Sequence, residues 1–269
     1  MSYRFVFLVL SFLLLCCGGR AQPFPAIRSV PVKAAILQVD ELGNAYVVRK
    51  DNTLIKFNES ADSVANYSNI TNGEITDVDV TNPLRVMLYY AGFAKLVLLD
   101  RMLAPKNELN LRKLNQLNIQ VIAVSAEGNL WVYDQFTAAL NKLDIELNYM
   151  VRGNDLRQQL DELPQPVYLT ERDRRVYMVD TAQGIHVFDQ YGSYINTLPI
   201  KGVSNLQVVG TQLIYRKGAA LISYDFGKFS ETSMPIPEIP GSAILQAAYC
   251  RNVLYVLYSD RLVWYRTAN

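Results

Sequence analysis

Apolar residues in this chain fall in short runs broken by polar or glycine-bearing turns, and one run keeps returning. The segments Leu54-Ile55-Lys56-Phe57-Asn58, Leu96-Val97-Leu98-Leu99-Asp100 and Leu140-Asn141-Lys142-Leu143-Asp144 share one pattern. Ile185-His186-Val187-Phe188-Asp189, Leu221-Ile222-Ser223-Tyr224-Asp225 and Leu262-Val263-Trp264-Tyr265-Arg266 continue it. Each reads aliphatic, two variable positions, large apolar, then usually Asn or Asp. The fourth positions (57, 99, 143, 188, 224 and 265) lie 36 to 45 residues apart, so the chain is an array of six similar units.

A second apolar run precedes each copy, centred on Tyr46, Met87, Trp131, Tyr177, Ile214 and Tyr255. Turns such as Lys50-Asp51-Asn52 join the two runs and predict a hairpin. A further apolar run comes before the hairpin and a more polar stretch follows it. Three to four short strands per unit is the pattern of a β-propeller blade, and six units predict six blades. Runs such as Val253-Leu254-Tyr255-Val256-Leu257-Tyr258 do not alternate, as expected where neighbouring blades cover both faces. A parallel α/β sheet also buries both faces, but it needs a helix between strands, and none recurs. One helix is predicted, in Asn154-Asp155-Leu156-Arg157-Gln158-Gln159-Leu160 and on to Leu163, inserted between the third and fourth units and stopped by Pro164.

The stretch from Arg175 to Leu198, with Tyr177-Met178-Val179-Asp180, a turn, and Ile185-His186-Val187-Phe188-Asp189, resembles an NHL-type repeat. The resemblance is good in the fourth unit, fair in the third, and elsewhere limited to spacing and apolar positions. It implies an all-β propeller and no particular activity, since propellers host enzymes, ligand binders and scaffolds. The sixth unit lacks an outer strand, because only Thr267, Ala268 and Asn269 follow it. Phe24 to Val32 has no unit of its own, and residues around Pro25 to Pro31 are expected to supply that strand, closing the ring from the amino terminus.

Residues 1–21 read as an export signal: Arg4, an apolar run from Phe5 to Cys17, then small residues ending at Ala21. The expected organisation is therefore a signal over 1–21 and a single propeller domain over 22–269. Lipidation of Cys17 is the rival reading, and membrane attachment is expected only in that case. After cleavage Cys250 stands alone, so no intrachain disulfide is expected. With 26 basic against 25 acidic side chains, the chain lacks the footprint of a nucleic-acid binder.

Candidate chemistry is sparse. His186 occupies a strand position that is mostly apolar in the other units, so a packed residue is expected rather than a ligand. Asp134, Asp180, Asp100, Asp144, Asp189 and Asp225 end strands and are expected to accept turn amides. Glu171 to Arg175 is expected to be a solvated turn. Asp77 and Asp79 share a strand face and, with Asp40, could place a cation in the central channel as in calcium-dependent lactonase-like hydrolases or lyases. The leading reading is a non-enzymatic, exported protein-binding scaffold, monomeric, without cofactor, whose partner is another envelope or secreted protein. The expected contact residues are Phe93 and Phe136 at hairpin tips, with Arg152 and Arg157 in the long crossover between the third and fourth units.

Overall fold

The computed structural model describes residues 24–114 and 118–267. The segment expected to be an export signal, with Cys17, lies outside the described residues. The strands form six four-stranded antiparallel sheets, each a blade with the order inner, second, third, outer. The inner strands are Ala34–Val39, Asp77–Asn82, Ile119–Val124, Pro166–Arg172, Gln207–Val209 and Ile244–Cys250. In the last blade the outer strand is Ala26–Pro31, paired with Arg261–Arg266, so the amino terminus closes the ring as expected.

The packing explains why the strands carry apolar residues without strict alternation. Six clusters of buried side chains lie in the six seams between blades. In the last blade Leu254, Val256 and Tyr258 face the fifth blade, while Tyr255 and Leu257 face the first. Period-two geometry still operates, but both of its faces are dry.

The strand-ending aspartates take up turn amides as expected. Asp134 accepts from Asn118, Phe136 and Thr137 N–H, and Asp180 from Gln165, Ala182 and Gln183 N–H. Asp100, Asp144, Asp189 and Asp225 do the same for the turns after third strands. Burial pushes the Asp180 carboxyl up, yet its three amide donors bring it below its ordinary value.

Two expectations need correction. The helix predicted after Asn154 is a single 3-10 turn, Leu156–Gln158. A stretch of this length gains too little from its own hydrogen bonds to stay helical alone. Here Leu156 N–H is instead tied to the Ala138 carbonyl, while its buried side chain packs between the third and fourth blades with Leu160 and Leu163 beside it. The Glu171 to Arg175 segment is not wholly a solvated turn either. The strand runs to Arg172, and only Asp173 and Arg174 turn, both at positive φ (51° and 59°) as in a tight two-residue hairpin. Glu171 is buried, accepting Ala126 N–H and the Trp131 indole N–H of the preceding blade.

His186 is a buried strand residue whose Nδ1 lies 2.7 Å from Thr197 Oγ1. Cys250 is a free, half-buried thiol whose Sγ is 3.4 Å from the Asp40 carbonyl.

Candidate functional site

Two regions gather the singled-out residues, at different places on the ring. The loops joining second to third strands and those joining blades share one end of the propeller. There the crossover after the third blade docks on the hairpin tip of that blade. Leu156 N–H bonds to Ala138 O, and Arg157 Nη2 donates to Thr137 O at 3.1 Å. Gly153 permits the close approach, since a Cβ at this position would lie 2.1 Å from Leu140 O. Asp155 holds the Arg157 side chain at 2.8 Å, fixing the guanidinium beside the tip that carries Phe136. Phe136 is 74% exposed.

The structure thus brings Phe136 and Arg157 to one hairpin. Phe93 and Arg152 have different neighbours. Phe93, half exposed on the second blade, lies against Gly73 with the Arg112 guanidinium 6.0 Å from its ring. Arg152 stacks on Tyr149 of the outer strand at 3.5 Å.

The second region is the central channel, and one register level defines it. The residues paired with Tyr46, Met87, Trp131, Tyr177, Ile214 and Tyr255 are Gln38, Asp79, Ala123, Thr170, Gln207 and Ala248. Four inner strands present a polar side chain at this level and two present only a methyl group. Gln38, Asp79, Thr170 and Gln207 line a cavity of about 260 Å³, together with Tyr168, Arg172 and Asp40. Individual inner strands look unremarkable in the sequence; Gln38, Thr170 and Gln207 escape notice there because their shared level emerges only from the register.

Asp79 Oδ1 accepts Thr81 N–H at 2.7 Å, and Oδ2 accepts Val124 N–H of the next blade at 2.8 Å. Asp77 sits one pleat away, its Oδ1 accepting Val78 N–H at 2.8 Å. Burial, and then the negative Asp79, push the Asp77 carboxyl up to about 7. Burial, and then the same two carboxylates, raise the Tyr168 phenol above its ordinary value. Asp40 is engaged elsewhere: Leu42 N–H, Asn44 N–H, the Asn44 amide and the Tyr46 hydroxyl all donate to it. Among the described residues no group of three or more His, Cys, Asp or Glu side chains comes together in a way that could hold a metal ion.

The fold and its channel define the class: this is a six-bladed β-propeller. No family model matches the chain, and no curated protein matches it by sequence. Solved structures match it by shape. Virginiamycin B lyase from Staphylococcus aureus, in a catalytically inactive form with quinupristin, is 11% identical with a TM-score of 0.61, covering 90% of this chain and 99% of that one. The Neurospora crassa Pan2 WD40 domain is 10% identical with a TM-score of 0.60, covering 92% and 97%. PorZ, a surface component of the type-IX secretion system of Porphyromonas gingivalis, is 12% identical with a TM-score of 0.53, covering 91% of this chain and 38% of that one. A lyase, a WD40 domain and a secretion component share the shape, so the similarity speaks for architecture alone.

Proposed function

We propose that the protein is an exported, non-enzymatic binding module that docks an envelope or secreted protein through the loop face around Phe136 and Arg157, with Phe93 and Arg152 contributing further out. The observation that carries this reading is an exposed aromatic ring on a tip held by Asp134, beside an arginine already fixed by Asp155 and the Thr137 carbonyl. Aromatic and arginine side chains dominate interface energies, and a contact ordered beforehand loses little entropy on binding. Export is supported by the charged, apolar and small-residue order of residues 1–21.

The test is recovery of a crosslinked partner from intact cells by tagged wild-type protein and by the Phe136→Ala, Arg157→Ala double variant. The expected result is loss of the partner with an unchanged melting temperature. Full retention by the folded double variant overturns the reading. A calcium-dependent hydrolase or lyase would instead need Asp77, Asp79 and Asp40 to serve one ion, and elemental analysis of the purified protein for stoichiometric calcium addresses it.

A further inference from the structure

The channel cavity has a feature that its structural role leaves unused. Of the four polar side chains at its level, two stitch seams: Asp79 accepts Val124 N–H and Gln207 accepts Tyr249 N–H. Gln38 has no hydrogen-bond partner among the described residues, although only 9% of its surface is exposed. Its amide lines a cavity that water can enter, so both its donor and its acceptor are available to a ligand's polar groups. Arg172 lines the same cavity, and among the described residues it makes neither an ion pair nor a side-chain hydrogen bond. The cavity therefore presents an amide with both donor and acceptor capacity, a guanidinium free of partners and the Asp79 carboxylate, with the exposed Glu41 and Asp173 also in its lining and Asp77 outside it, two residues along the strand from Asp79.

Charge decides what fits. A bare anion would meet Asp79. A simple cation would find Asp40 saturated by its own turn and Glu41 and Asp173 exposed to water, and it would meet the like charge of Arg172. A molecule with both charges matches both ends, and about 260 Å³ is below the range of drug-sized sites. We propose that the central channel binds a small zwitterion of the α-amino acid or dipeptide class, its ammonium toward Asp79, its carboxylate on Arg172, and Gln38 hydrogen-bonding between them. This site is separate from the loop face, so the two readings stand or fall independently.

The experiment is a thermal-shift screen of the full purified protein at pH 7.5 with the free α-amino acids and glycylglycine. Methylamine and acetate serve as single-charge controls, and hits are followed by calorimetry. At least one zwitterion is expected to raise the melting temperature and bind one to one, with neither control doing so. Arg172→Met and Gln38→Met are expected to weaken that binding by roughly tenfold or more, while Phe136→Ala leaves it unchanged. Arg172→Met removes an unpaired side chain, so the variant should fold, and its melting temperature without ligand checks this. The proposal is overturned if no zwitterion binds the folded wild type at about 10 mM, an affinity too weak to matter. It is equally overturned if methylamine binds as well, or if both variants bind as the wild type does.

Discussion

Asp79 on the second blade accepts the backbone N–H of Val124 on the third at 2.8 Å, stitching the seam from inside the channel. Gln207 makes the equivalent bond to Tyr249 between the fifth and sixth blades at 2.7 Å, and Gln246 reaches Leu37 N–H between the sixth and first. Inner strands expose one edge to the channel, and these acceptors satisfy part of it.

The two equivalent bonds differ in charge, and that separates their mutants. Gln207→Ala should cost about 1–2 kcal/mol, the usual loss for an unpaired partner in a region that water can still reach. Asp79→Ala loses the Val124 bond and the Thr81 N–H bond as well, but where Asp77 is ionised it also relieves the repulsion that raises Asp77. Its cost should therefore be smaller at pH 8 than at pH 5, while that of Gln207→Ala stays the same. Urea midpoints of the two variants at both pH values check this, and a cost of Asp79→Ala independent of pH would refute the coupling.

Ring closure by Ala26–Pro31 makes a second prediction. Most of that strand is exposed, so its contribution is mainly the ladder to Arg261–Arg266, with Val30, Val32 and Phe24 adding contacts at the flanking seams. Deleting residues 24–32 opens the ring and leaves an unpaired edge. The melting temperature should fall by about 10 °C, since a domain of this size shifts a few degrees per kcal/mol. An unchanged melt would mean that the strand is dispensable.

The blades were legible in the sequence because the repeat fixes both period and register. Once Tyr46, Trp131 and Tyr177 fall into line, the strands on either side follow, and so does the orphan strand at the amino terminus. The channel level was not legible. Gln38, Thr170 and Gln207 each sit in a mostly apolar run and become a ring only when six registers are superposed. The crossover was misread as a helix because the spacing of Leu156, Leu160 and Leu163 suits a helical face. That spacing serves equally to reach down into the seam where they pack. Glu171 was placed in solvent by its charged neighbours, though its carboxylate is committed to Trp131 of the adjacent blade.

His186 carries a pH dependence. Burial lowers its pKa, and Asp180 only partly opposes this, so the folded protein keeps the ring neutral where the unfolded chain takes up a proton. The stability this represents is present above the unfolded value of about 6.5 and is lost as pH falls toward the lowered folded one. Substituting Asn, which keeps a polar group near Thr197, removes the titration. The stability advantage of wild type over His186→Asn at pH 7.5 should therefore shrink by about 1 kcal/mol at pH 5. A difference independent of pH across that interval would contradict the burial argument.

Asp77 works with the opposite sign. Its carboxyl is raised from an ordinary 3.8 to about 7 by burial and by Asp79, so the folded protein holds a proton that the unfolded chain has released over that interval. The resulting stability is full below about pH 4 and is lost as pH rises through 7. At pH 8 the folded state carries two carboxylates one pleat apart in the channel. Asp77→Asn removes one charge while its amide oxygen can still accept Val78 N–H. The variant should match wild type near pH 4 and exceed it at pH 8 by on the order of 1 kcal/mol, reduced by channel water from the full linkage value. Urea midpoints at pH 4 and pH 8 decide the matter. A variant less stable than wild type at pH 8 would show that the ionised Asp77 has a favourable partner and would refute the burial and repulsion argument.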